Sequence, residues 1–390
     1  MDLSIFDEPT DRTAINAVKW DVAPGELPMW VADMDFKTAP AVQEALARRL
    51  SNGTFGYSDI PAAFGETVAA WWRDRHGVAF DPAHVIYTSG VVPALSSIVR
   101  SLTNVAEKVL VQPPVYNIFY NSIVNNGRRV LQNPLRYEDG RYSIDFDDLE
   151  AKLSDPLCTL MILCNPHNPT GNVWSRAELA RIGELCANYH VTVASDEIHC
   201  EVVRPGLGHT PFAAASDTCR ALSVTCASPS KAFNTAGLHS AYVVVDDPLL
   251  RHRVVRGLNT DEVAEPNSFA VEATMAAYTG GAAWLDGLQV YIQQNKDLAA
   301  SFIACEVPGV YPVPSNATYL LWLDCSALLG ERTAAELVEH LRRETGLVLS
   351  DGAIYGAGGE RCVRMNLGTQ RARVEDGLAR FARGCATFTG

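Results

Sequence analysis

Lys231 has the setting of a reactive amine. It lies in Ala227-Ser228-Pro229-Ser230-Lys231-Ala232-Phe233, after an apolar run, Ala221–Thr225, that reads as a strand. An amine at a strand end can condense with an aldehyde, provided its pKa is lowered enough to supply the neutral form. Ser228 and Ser230 are small hydroxyl donors suited to phosphate oxygens. Taken alone, Ser-x-Ser-Lys is equally the pattern of a solvent-facing lysine in a turn.

Two further segments share that placement. Asn165-Pro166-His167-Asn168-Pro169-Thr170-Gly171 follows the apolar run Leu160–Cys164. Its Asn-Pro turns and its glycine stiffen a loop and can present an amide side chain, or simply make a tight strand-to-helix connection. Ser195-Asp196-Glu197-Ile198-His199 follows Val191–Ala194. A carboxylate there can pair with a protonated ring nitrogen, or cap the next helix.

The elements that must hold these segments alternate along the chain. Strands are expected at Val85–Thr88, Lys108–Val111, Leu160–Leu163, Val191–Ala194, Ala221–Thr225 and Ala241–Val245, with amphipathic helices between them. Short β-branched runs separated by helices imply an α/β fold, a mostly parallel sheet flanked by helices. Ligands of such sheets collect at the carboxyl ends of the strands. Residues 1–40 read as an irregular arm that packs with a smaller domain, and 41–280 as the large domain. Residues 281–390 read as that smaller α+β domain, with a helix from Trp284 to about Ala304, a strand Thr318–Leu323, a helix Ala334–Glu344, a strand Val363–Leu367 and a closing helix.

Taken together the three segments are far more specific than their parts. Asn168 precedes Asp196 by 28 residues, and Asp196 precedes Lys231 by 35. Asn-Pro-x-Asn-Pro-Thr-Gly, Asp-Glu and Ser-x-Ser-Lys in this order, each after a strand, resemble the fold type I pyridoxal 5′-phosphate (PLP) enzymes, the aspartate aminotransferase superfamily, over nearly the whole chain. Met29-Trp30-Val31-Ala32-Asp33-Met34-Asp35-Phe36 is similar to the N-terminal signature of one branch, the MalY/PatB-type cystathionine β-lyases and cysteine-S-conjugate β-lyases. So are Ser89–Ala94, Gln112–Tyr116, His209–Phe212, and His199 three residues after Asp196, where many aminotransferases carry Tyr.

The resemblance implies roles. Lys231 would hold PLP as a Schiff base and act as the base at the substrate α-carbon. Asp196 would keep the pyridine nitrogen protonated, making the ring an electron sink. Tyr116 would stack on the ring and Asn168 would bond its O3′. Val91 and Val92 would offer N–H groups to the phosphate at a helix N-terminus, where Pro93 costs nothing. Ser228 and Ser230 lie on the same side, and His199 would contact the cofactor. Tyr57 would reach the phosphate of the neighbouring subunit's cofactor, which implies a homodimer with shared sites. Arg364 would clamp the substrate carboxylate, bordered by Ala32 and Asn168. The implied reaction is α,β-elimination from L-cystathionine or a related S-conjugate, giving a thiol, pyruvate and ammonia. The alternative is a class I/II aminotransferase, which needs a 2-oxo acid and uses the same core residues.

Two positions depart from the pattern. Eight residues after the lysine, where aminotransferases usually grip the phosphate with Arg, this chain has His239. The expectation is that His239 contacts the phosphate and is held protonated by it. Asn366-Leu367-Gly368-Thr369 stands where the lyase branch often has Asn-x-Ala-Cys-Pro.

Composition narrows the partners. The net charge is −13 with no long basic run, which disfavours nucleic acid. No apolar stretch approaches the roughly 20 residues a membrane span needs, and the N-terminus lacks the features of a signal peptide. None of the ten cysteines sits in a Cys-x-x-Cys pair, so reduced, buried thiols in a cytoplasmic protein are expected, with no metal.

Overall fold

Seven short runs pair into one sheet in the computed structural model, which describes residues 2–388. In chain order they are β1 (Val85–Thr88), β2 (Lys108–Val111), β3 (Arg129–Gln132), β4 (Cys158–Cys164), β5 (Thr192–Asp196), β6 (Ser223–Ala227) and β7 (Ala241–Val244). The spatial order is β1-β7-β6-β5-β4-β2-β3. Only β7 runs against its neighbours; the pairs β2–β3, β2–β4, β4–β5 and β5–β6 are all parallel. β4 and β6 are almost wholly buried, as strands covered by helices on both faces must be. The expected mostly parallel sheet is therefore present.

Several boundaries differ from the sequence reading. The strand expected at 191–194 continues to Asp196, because Cys164 on one side and Cys226 on the other supply register partners for it. Asp196 is thus the last strand residue, not part of the following loop. The run 221–225 starts late: Asp217–Leu222 is a short helix capped by Ser216, and the strand occupies 223–227. The edge strand β3 was not expected, since only Val130 and Leu131 are apolar between the exposed Arg129 and Gln132. Nor was the hairpin Arg136–Glu138 with Arg141–Ser143, which turns on Asp139 and Gly140 at φ of 51° and 73°.

A second sheet contains β8 (Tyr311–Pro312), β9 (Leu320–Asp324), β10 (Ser350–Asp351) and β11 (Cys362–Asn366) in the order β8-β9-β11-β10, all antiparallel. The strand expected from 318 begins at 320, because Thr318 has a φ of 62° and cannot sit in a ladder. The helices Ala282–Glu306, Ala334–Thr345 and Arg371–Phe388 bury their apolar sides against this sheet.

The N-terminal arm joins the two ends of the chain. Leu27–Pro28 pairs in parallel with Leu347–Val348. Below it lies a buried charge cluster: Lys19 Nζ is 2.7 Å from Asp35 Oδ2, Arg12 Nη1 is 3.0 Å from Asp35 Oδ1, and the Trp20 indole donates to the same carboxylate. Burial pushes Asp35 up, but the Lys19 ammonium and the hydrogen bonds from Lys19 and Trp20 outweigh it and hold the carboxyl below its usual range.

Candidate active site

A cavity of about 240 Å³ opens at the carboxyl ends of β4, β5 and β6, where such a sheet presents its ligand site. Ala32, Val91, Val92, Tyr116, Asn168, Asp196, His199, Ser228, Ser230, Lys231 and His239 all line it. Arg364 stands directly behind Asn168. Tyr57 is fully exposed and does not reach this cavity within its own chain.

Asp196 forms the floor. Its Oδ1 accepts the Ile198 N–H at 3.1 Å. Burial pushes its pKa up to about 7, against that hydrogen bond and the pull of Lys231. A carboxylate so desolvated is stabilised by a cationic N–H placed against it.

Lys231 follows β6 in a tight turn, in which the Phe233 N–H bonds the Pro229 carbonyl and the Thr235 N–H that of Ser230. Its Nζ donates to the Ala32 carbonyl at 2.6 Å. Burial lowers its pKa to about 8, with Asp33 and Asp196 opposing and Arg364 assisting. A useful fraction of neutral amine therefore exists near neutrality, which imine chemistry requires.

Ala32 is held from several sides. Asn366 Nδ2 donates to the carbonyls of Val31 and Asp33, and the Asp35 N–H bonds the Gly368 carbonyl at 2.8 Å. Asn234 accepts the Met34 N–H at 3.1 Å and donates to the carbonyls of Met34 and Phe36. The Met29–Phe36 segment is thereby pinned between the turn that carries Lys231 and the segment that departs from the lyase pattern.

At the other end, the helix Val91–Leu102 begins after Gly90 with no side-chain cap, so its first N–H groups border the cavity. Ser228 Oγ donates to the Ser240 carbonyl at 2.6 Å and accepts the Ser230 N–H at 3.0 Å. His239 adopts φ 50° and is exposed at the rim; its carbonyl accepts the Tyr87 hydroxyl at 2.7 Å. The Ser228 hydroxyl proton and the Ser230 N–H are thus used within the turn, while the helix N-terminus, the Ser230 side chain and His239 border one small volume that suits an anion.

Arg364, on β11, donates from Nη1 to Asn168 Oδ1 at 3.1 Å and from Nη2 to the Trp30 carbonyl at 2.8 Å. Its guanidinium lies 4.9 Å from the centroid of the Tyr355 ring. His199 is buried, and burial, Lys231 and Arg364 depress its pKa to about 3, so the imidazole is neutral. Burial raises Tyr116 to about 12, so its phenol is neutral too. Arg364 Nε and His199 Nδ1 are buried without hydrogen-bond partners. Two orphaned polar atoms, a desolvated carboxylate, a weakly basic lysine and an anion cradle fit a phosphorylated pyridine aldehyde together with an amino-acid carboxylate.

Residues 27–381 match the family model for aminotransferase class I and II. The chain belongs to that family. Among relatives of this aminotransferase-family chain, cystathionine beta-lyase PatB of Bacillus subtilis is 45% identical, with 96% of this chain and 98% of that protein covered. Protein MalY of Escherichia coli is 34% identical, over 96% and 97%. A crystal structure of a PLP-bound C-S lyase from Staphylococcus hominis, in the external aldimine form with L-cycloserine, superposes with a TM-score of 0.91. It is 32% identical and covers 98% of this chain and 99% of that one.

Sequence reasoning missed part of this family member's site. Tyr319 touches Ala32 and His199, which line it, Tyr355 lies against Arg364, and Asn234 holds Met34 and Phe36 next to Ala32. Asn234 carries one signal, since an asparagine three residues past the lysine suits its positive φ of 54°. Tyr319 and Tyr355 have none: they are buried aromatics in runs that read as plain core.

Proposed function

We propose that this chain is a PLP-dependent carbon–sulfur β-lyase. It would cleave L-cystathionine or a related cysteine S-conjugate to a thiol (homocysteine from cystathionine), pyruvate and ammonia. The observation that carries this reading is the 45% identity to a cystathionine beta-lyase along essentially its whole length.

Bound PLP supplies an electron sink for negative charge developing at the substrate α-carbon. The chain's residues do the rest. Lys231 carries the cofactor through its Nζ and, once released, takes the α-proton; its pKa, lowered to about 8, keeps it basic while leaving a useful fraction neutral near neutrality. Asp196 sets its charge against the ring nitrogen. Asn168 Oδ1 is engaged by Arg364, which leaves Nδ2 to donate to the ring oxygen. Tyr116 covers the ring face, and neutral His199 offers Nδ1 to the cofactor. Val91, Val92, Ser228, Ser230 and His239 receive the phosphate. Arg364 and Ala32 orient the substrate carboxylate, so that the bond from Cβ to sulfur can align with the developing charge.

Tyr57 serves the neighbouring subunit's site, so the working form is a homodimer. The chain divides into an arm (1–40), a large cofactor domain (41–280) and a small domain (281–390). It works in the cytoplasm on small amino acids, with no nucleic-acid partner; the membrane is left aside because no helix among the described residues is long and apolar enough to cross one.

The test is pyruvate release from L-cystathionine and L-cystine with no 2-oxo acid added, and Lys231→Ala as control. Many turnovers of pyruvate and thiol, lost in the variant, support the lyase. Amino transfer only after a 2-oxo acid is supplied would make the chain an aminotransferase.

A further inference from the structure

The Ala32 carbonyl accepts two donors at once: Lys231 Nζ at 2.6 Å and the Tyr319 hydroxyl at 2.9 Å. Tyr319 is wholly buried at the start of the second sheet and comes from the far end of the chain. Its hydroxyl has no other hydrogen bond, so its proton is committed to this carbonyl.

We propose that Tyr319 is a positioning residue that weakens the hold of the Ala32 carbonyl on Lys231 Nζ by sharing it as an acceptor. This deepens the PLP reading and rests on it. A carbonyl bonded by an ammonium stabilises the charged form. A second donor on the same oxygen draws down its electron density and aims the positive end of an O–H dipole toward Nζ. Both effects favour the neutral amine. The titratable groups facing Lys231 are Asp33 and Asp196, which favour its charge, Arg364, which opposes it, and the neutral His199 and Tyr116. Tyr319 adds a bias that acts through Ala32 alone.

The consequence falls on the step in which Nζ attacks the PLP aldehyde. A C=N bond forms, water leaves, and only the unprotonated amine takes part. Tyr319→Phe removes the hydroxyl but keeps the ring against His199, and it leaves no orphan, because Ala32 still has Lys231. The fold is therefore retained.

The experiment follows the rate at which cofactor-free protein captures PLP, read by visible absorbance from pH 6 to 10, for wild type, Tyr319→Phe and Tyr319→Leu. The expected result is a midpoint about half to one pH unit higher in both variants, a roughly three- to tenfold slower capture at pH 7. Tyr319→Leu would in addition melt lower, having lost the ring. An unchanged or lowered midpoint in Tyr319→Phe overturns the proposal, as does a shift confined to Tyr319→Leu, which would assign the effect to ring packing. Either result leaves the PLP reading intact. A wild type that captures no PLP overturns both.

Discussion

Arg364 and Asn168 tie the two sheets together: a guanidinium on β11 donates to the amide oxygen of a loop that follows β4, at 3.1 Å. This one bond orients the amide proposed to face the cofactor and fixes the fork proposed to face the substrate. Arg364→Lys keeps the charge but not the fork, and Lys cannot serve Asn168 and Trp30 in the same geometry. Charge-assisted hydrogen bonds are worth about 1.5–3 kcal/mol each. Steady-state kinetics should show kcat/KM down by roughly 10–100-fold, mostly in KM. A variant with unchanged KM would remove Arg364 from the substrate clamp.

Asp196→Asn separates cofactor binding from stability. The folded pKa of Asp196 is raised to about 7 from 3.8 by burial. A raised carboxylate costs the folded state nothing below the unfolded pKa. The cost grows as pH rises from about 4 to 7 and is constant above that. Asn retains the acceptor for the Ile198 N–H and carries no charge. The cofactor-free variant should therefore gain stability at pH 8, up to about 4 kcal/mol, with little gain at pH 4, while PLP affinity falls. Thermal melts across that range decide it.

Asp35→Asn should destabilise strongly, because it leaves the buried Lys19 ammonium without a counter-charge. Breaking a buried pair on one side costs roughly 3–5 kcal/mol. In the wild type the sign is the reverse of Asp196. The lowered pKa gives stability that is present above the unfolded value and lost as pH falls through the folded one. Urea unfolding at pH 7 and pH 3 should show the variant's deficit shrinking in acid.

Gly171 turns the loop that presents Asn168, at φ 73°, and its Cα packs against Ser315. A Cβ there would overlap the Ser315 hydroxyl, and the conformation itself disfavours any L side chain. Gly171→Ala should lower both melting temperature and PLP affinity, and Ser315→Ala in the same chain should recover only part of the loss. Full recovery would mean that the turn conformation is not the constraint.

The exposure of Tyr57 gives a test of shared sites. Tyr57→Ala and Lys231→Ala, each weak or inactive alone, should regain lyase activity when co-expressed. Each mixed dimer then contains one site with both native residues. No recovery in a verified mixed dimer would confine Tyr57 to its own subunit.

Legibility in the sequence followed chain distance. Asp196, Asn168 and Lys231 could be read because each ends or follows an apolar strand, and a parallel sheet brings such ends to one edge. Val91 and Val92 could be read because Ser-Gly before a helix marks its start. Tyr319 and Asn366 reach the site through the second sheet, by contacts with residues almost 300 or more positions away. Nothing local in Ala317-Thr318-Tyr319-Leu320 distinguishes that phenol from core. Strand β3 was hidden for a different reason: an edge strand with two partly buried apolar residues between exposed Arg129 and Gln132 lacks the longer apolar run that marks a buried one.

The pinning of Met29–Phe36 bears on the order of events during synthesis. Ala32 lies near the start of the chain, yet the side chains that fix its carbonyl and its neighbours belong to Asn234, Tyr319 and Asn366. The resting place of Lys231 therefore does not exist until almost the entire polypeptide has left the ribosome. The residues that border the proposed anion site lie within 89–240. A chain that ended before residue 319 would carry Lys231 and the residues around the anion site, but not the Tyr319 and Asn366 side chains that fix the lysine's resting acceptor.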